Sequence, residues 1–199
     1  MSTATRVMHS APEQVWKLPS RGRVGMLSLI IGEAALFTIF VVAYIFYIGK
    51  SLTGPTPAQV LEVPILGTIC LLSSSFTIWR SEHAIEHGKM RAFSGWLAAT
   101  ILLGVVFMVG TAIEWQKLIF RDGLTIRTNL FGTTFYSLVG LHATHVVLGL
   151  SMLSIVLVLS LLGRFSASQS ERFAVIALYW HFVDVVWVVV FTVVYVIGR

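Results

Sequence analysis

Phe173–Ile197 reads FAVIALYWHFVDVVWVVVFTVVYVI. It is unbroken by proline or glycine, and its only ionisable groups with acid–base reach are His181 and Asp184. A bilayer core needs about 20 consecutive apolar residues in a helix. This stretch supplies them, so it reads as a membrane span with two polar side chains inside it. Working back along the chain, four more segments have the same character. They run from about Val24 to Ile48, Val63 to Trp79, Phe93 to Trp115, and Leu130 to Leu162. The expectation is an all-α integral membrane bundle of five transmembrane helices. The Leu130–Leu162 segment is too long for one perpendicular crossing, so it must tilt or project beyond the lipid.

Composition agrees. Of 199 residues, 56% are hydrophobic and 12% charged, and the mean hydropathy is +0.85. A soluble domain carries about 25% charged residues. The net charge of +5 does not point to nucleic acid, because the basic residues lie singly or in small groups between apolar runs. Cys70 is the lone cysteine, which excludes an internal disulfide and a cysteine-based zinc site. Residues 1–23 read as a cytoplasmic tail without the apolar core of a secretory signal, and 24–199 as the membrane domain. Gly54, Pro55 and Pro57 mark the first loop as a turn.

Loop charges set an expected orientation. Arg6, Lys17, Arg21, Arg23, Arg80, Lys89, Arg91, Arg164 and Arg172 fall on one side, and Lys50, Lys117, Arg121, Arg127 and Arg199 on the other. Nine against five places the N-terminus in the cytoplasm and the C-terminus outside.

Ionisable groups within spans cost about 2.5–3.5 kcal/mol each on insertion scales. Glu33, His142, His145, His181 and Asp184 therefore call for a reason, and Glu114 less so near an outer helix end. Glu33 lies roughly 13 Å below the inner surface at 1.5 Å rise per residue. It is either a proton-active or lipid-contacting carboxyl, or an interhelical hydrogen-bonding group. His142 and His145 share a helix face at i, i+3, as do His181 and Asp184. Paired histidines can ligate haem or metal between helices. The competing reading has each imidazole bonded to a neighbouring helix, with Asp184 accepting from a histidine or tryptophan. Bulky Tyr179, Trp180, Phe182 and Trp187 around His181 favour the second. The stretch SEHAIEHGKMR, Ser81–Arg91, repeats Glu82 with Glu86 and His83 with His87 at i, i+4. On a continuing helix these form one polar face, either a proton-collecting surface or simply a solvated one.

Tyr179–Trp187, YWHFVDVVW, is similar to the final-helix signature of subunit III of haem–copper respiratory oxidases. Gly132, Phe135 and Gly140–Gly149, GLHATHVVLG, resemble that family's glycine- and histidine-bearing helix, with Leu141 and Ala143 replacing its usual Phe and Gly. Glu114–Trp115 stands where the family has Glu followed by an aromatic residue, and Thr68–Glu86 resembles its segment ending in Trp and a His-containing inner loop. Gly32–Phe37, GEAALF, resembles the helix with the family's buried, carbodiimide-reactive carboxyl, here Glu33, with Gly32 in place of the usual Ser. The resemblance spans about residues 20–199 and matches the five-helix bacterial form rather than the seven-helix long form.

The resemblance implies a non-redox subunit of a proton-pumping terminal oxidase in a bacterial inner (plasma) membrane, fed by cytochrome c or by quinol. It implies no cofactor in this chain, haem and copper in partner subunit I, and bound phospholipid. Direct contact with subunit I is expected, with subunit II and a small additional subunit nearby. Glu33 becomes the expected proton- or lipid-linked carboxyl. Glu114, His142, His145, His181 and Asp184 become a buried polar network, and Arg80 and Arg164 lipid-headgroup contacts. Two rivals remain: a haem-carrying anchor of a quinone-linked enzyme using His142 or His145 with His181, and a secondary transporter. The transporter is disfavoured by the absence of repeats and of broken helix pairs.

Overall fold

The computed structural model describes residues 20–51 and 53–198, so residues 1–19 of the expected tail lie outside the described residues. Helix α1 covers Arg21–Tyr47, a single turn α2 Pro57–Val60, α3 Ile65–Glu86, α4 Met90–Phe120, α5 Leu130–Leu161 and α6 Ser170–Phe191. A 3₁₀ turn at Ala167–Gln169 leads into α6, and a π-helical turn at Thr192–Ile197 continues it. No strand occurs among the described residues.

Local chemistry sets the ends. Ser20 caps α1 by accepting from the Arg23 N–H at 3.4 Å. Asn129 caps α5 by accepting from the Gly132 N–H at 2.8 Å, while its Nδ2 donates to the carbonyls of Thr53 and Pro55 at 3.0 and 3.1 Å. One side chain thus starts a helix and ties down the first loop. The helices α3 and α5 both stop at a glycine with φ +69°, Gly88 and Gly163. In each case the next N–H returns to a carbonyl of the last turn, Lys89 to Ala84 and Arg164 to Leu159, both at 2.9 Å. That geometry needs a left-handed residue, which glycine adopts without a Cβ penalty.

The sequence leads one to expect five spans, and among the described residues four helical stretches are long and apolar enough to cross a membrane: Arg21–Tyr47, Met90–Phe120, Leu130–Leu161 and Ala167–Ile197. The expected second span differs for a chemical reason. Helix α3 has 22 residues, about 33 Å at 1.5 Å each, so its length suffices. Its apolar content does not, because it carries Ser73, Ser74, Ser75, Thr77, Arg80, Ser81 and Glu82, and it runs on past Trp79 to Glu86. Ser74, Thr77 and Ser81 are buried against other helices, as polar groups in a low-dielectric setting require. Thr77 bonds Thr100 of α4 at 2.8 Å, and Ser81 donates to the Phe93 carbonyl at 3.1 Å. Helix α5 keeps its expected bounds within one residue, and its 32 residues span about 48 Å.

Helices α3 and α4 form an antiparallel hairpin; α5 packs on α4, and α6 touches α1, α3 and α5. The last span is the most enclosed, with 50% of its apolar window buried, and α1 the least, with 11%. Trp180 of α6 is the central post. It is fully buried, and its ring lies where a Cβ on Gly149 of α5 or Gly104 of α4 would stand 2.7 and 3.0 Å from ring atoms. Its indole N–H donates to Ser74 Oγ of α3 at 2.9 Å. Four helices therefore meet at one side chain, two through glycine and one through a hydroxyl.

Candidate functional site

Two polar groupings form around this post. The first joins α1 to α5. His145 Nδ1 lies 2.8 Å from the Leu141 carbonyl, which only accepts, so Nδ1 carries the proton and donates. The opposite nitrogen, Nε2, faces Glu33 Oε2 at 3.1 Å, within hydrogen-bonding distance. His145 is 9% exposed at its side chain and Glu33 26%, so the carboxyl is mostly covered, on the packed face of α1 with Phe37 and Tyr44, and reaches the surface only at the edge of the α1–α5 seam. Phe37 sets its edge against His145 at 5.0 Å, and Tyr179 stacks on it at 6.5 Å.

The second grouping joins α3 to α6. Ser75 Oγ donates to Asp184 Oδ2 and accepts from His181 Nδ1 at 3.3 Å. His181 Nε2 points towards Glu82 Oε2 at 3.9 Å, an ion-pair distance beyond hydrogen bonding. Glu82, His181, Ser75 and Asp184 thus form a line from the end of α3 to the buried Asp184, whose Oδ1 has no partner among the described residues. Asp184 accepts from a serine, where a histidine or tryptophan was expected. Ser75 escaped notice in the sequence because one hydroxyl in a Ser73–Ser75 run carries no distinguishing signal. Ser74, Thr77 and Ser81, spaced i, i+3 and i+7, lie on the inward face of the helix.

His142 belongs to neither grouping. It is 1% exposed, stacked on Trp187 at 5.0 Å, with Phe107 and Phe37 edge-on at 6.0 and 6.5 Å. Neither ring nitrogen has a hydrogen-bond partner among the described residues. The residues expected as one buried polar network, Glu114, His142, His145, His181 and Asp184, divide between the Glu33–His145 pair, the Glu82–His181–Ser75–Asp184 line, the isolated His142 ring and a contact of Glu114. Glu114 accepts from Tyr195 Oη at 3.0 Å, tying α4 to the π-helical turn. Arg80 places its guanidinium over the Trp96 ring at 5.4 Å, and Arg164 is exposed just after α5. Helix α3 does continue through Glu86, as a polar face requires, yet Glu82 turns inward while His83, Glu86 and His87 stay exposed.

A family model described as Cytochrome c oxidase subunit III matches residues 19–199. The chain belongs to this family. It is 33% identical over 191 residues to the Cytochrome c oxidase subunit 3 of Alkalihalophilus pseudofirmus, covering 95% of this chain and 93% of that one. Against the Bacillus subtilis protein of the same name the identity is 32%, over 95% and 92%. Against the Rattus norvegicus protein it is 33%, over 87% of this chain and 68% of the rat chain. The chain is therefore a subunit III of a respiratory terminal oxidase, a multi-pass membrane protein of a multisubunit complex. In this subunit III the expected Glu33 meets the expected His145, residues separated by 112 positions.

Proposed function

We propose that this subunit III carries no redox centre of its own and sustains proton uptake and the stability of catalytic subunit I. The observation that carries this is the Glu33–His145 pair. It is a hydrogen-bonded pair of titratable groups inside an apolar span, with its carboxyl partly exposed at the edge of the α1–α5 seam. A proton held between two titratable groups is a ready donor or acceptor for a neighbour at that edge. The uncovered face of α1 includes Ile31, Ile39, Val42 and Phe46, apolar residues suited to lipid or to the spans of subunit I. Haem and copper belong to subunit I in this reading, with subunit II and a small additional subunit completing the complex. Phospholipid headgroups meet Arg80 and Arg164. A haem held by His142 or His145 with His181 finds no support, since Glu33, Ser75 and Trp187 occupy the three rings separately.

The test uses the intact oxidase. Glu33→Gln keeps the shape and hydrogen bonding but removes the titrating proton. It should assemble with subunit I, yet slow proton uptake or shorten catalytic lifetime about tenfold, equivalent to ~1.4 kcal/mol. Normal uptake and lifetime in Glu33→Gln, together with loose assembly in Glu33→Ala, would assign the residue to packing alone.

The same proposal places the protein in a bacterial plasma membrane with five crossings, α3 being the fifth span, its polar face covered by α4 and α6. The N-terminus is cytoplasmic and the C-terminus periplasmic or extracellular. Reporter fusions after Arg91 and Arg164 should then report the cytoplasm, and fusions near Pro55 and Asp122 the outside. An outside signal after Arg91 overturns the map.

A further inference from the structure

The C-terminal end of α3 holds a group of side chains that neither polar grouping uses. His83, Glu86 and His87 stand at i, i+3 and i+4, exposed on one face, and each offers a ligand atom within 4.8 Å of the others. We infer that they form a binding site for one divalent transition-metal ion of the zinc class. This departs from the sequence reading, which assigns no metal to the chain.

Three observations beyond proximity orient the cluster. His87 Nδ1 donates to the His83 carbonyl at 2.8 Å, which leaves Nε2 as the nitrogen with a free lone pair. Such a bond on the far side of a ring is how metal-ligating histidines are held in one tautomer. The His83 and His87 rings approach to 4.2 Å between centroids, and Trp79 stacks on His83 at 6.3 Å and 20° from one turn earlier. The indole thus limits the swing of the first ligand. The cluster also sits on the last turn, at the negative end of the helix dipole, which favours a cation. Arg80, one turn back, lies over Trp96.

The donor set identifies the ion. Two imidazoles and one carboxylate suit zinc, nickel or cobalt, whereas calcium and magnesium take oxygen ligands. Zinc bonds of about 2.0–2.1 Å put tetrahedral ligands about 3.3 Å apart. The three donors reach that spacing by small rotations of exposed side chains. Three protein ligands leave a fourth position for water.

Equilibrium dialysis of the purified, metal-stripped oxidase against zinc tests the site, with zinc counted per complex. His83→Gln/His87→Gln should bind one zinc fewer than wild type, with unchanged haem spectrum and subunit content. Glu86→Gln should keep that equivalent about tenfold or more weaker. His87→Gln alone provides the same comparison with a single surface change. Equal stoichiometry and affinity in all four proteins would overturn the proposal. Displacement of this zinc by millimolar calcium would overturn the assigned ligand class.

Discussion

Trp180→Ala should cost the subunit roughly 3–5 kcal/mol, the range for removing a large aromatic side chain from a core. The reason lies in where the side chain sits rather than in its hydrophobicity. Lipid is as apolar as an indole, so burying it within a bundle gains little by transfer. What it gains is dispersion contact with three other helices at once, each atom pair contributing about 0.1–0.2 kcal/mol. Its ring is fully buried between Gly104 and Gly149, and its N–H satisfies Ser74. Alanine leaves a void among α3, α4, α5 and α6 and removes the hydrogen bond that Ser74 Oγ accepts, leaving that hydroxyl its bond to the Leu71 carbonyl alone. Unfolding in mixed micelles by a denaturing detergent measures the loss, and subunit III should dissociate from the purified oxidase. Trp180→Phe should cost less, because it keeps one ring. An alanine variant within 1 kcal/mol of wild type would show that the bundle does not hang on this post.

Gly149→Val should be the next most damaging change, by about 1–3 kcal/mol. A Cβ there stands 2.7 and 2.9 Å from two Trp180 ring carbons, and the ring has no room to turn, because Gly104 closes its other side. The cost comes from α5 backing away from α6. That displacement also stretches the Glu33–His145 contact, because His145 lies one turn before Gly149 on the same helix. The two substitutions share one space, so their effects should not add. The double variant should be less damaged than the sum of the singles by 0.5 kcal/mol or more. A cycle additive to within about 0.3 kcal/mol would mean that the ring and the glycine do not press on each other.

Much of the fold is legible in the linear pattern, because apolar length is a local property. The runs that became α1, α4, α5 and α6 announce themselves without tertiary information. Helix α3 is less apolar, because it spends its residues on interhelical bonding, Ser74 to Trp180 and Thr77 to Thr100. Its polarity is a consequence of neighbours that a hydropathy reading does not contain. The site divides in the same way. Equal i, i+3 spacing placed His142 and His145 on one face correctly, yet one faces aromatic rings of α4 and α6 and the other a carboxyl of α1. Spacing along one helix says which residues look the same way, not which helix they find there. Glu82 makes the same point: its i, i+4 partner Glu86 stays exposed, while Glu82 reaches His181 of a helix some hundred positions later.

The pairing of α1 with distant helices bears on how the protein is made. Helix α1 packs on α5 and α6, the parts of the chain that emerge last. Ribosomes add roughly 5–20 residues per second, so the 112 residues between Glu33 and His145 take about 6–22 s to synthesise. Through that interval α1 stands in the bilayer without the helices that will hold it. Its lightly packed surface suits the wait, with only Phe37 and Tyr44 fully buried in the finished bundle. Glu33 is the exception, a polar group that enters the membrane long before its histidine does. The biogenesis machinery meets that carboxyl unaccompanied, and a factor that shields it until α5 arrives would act on a nascent chain, not on the assembled oxidase.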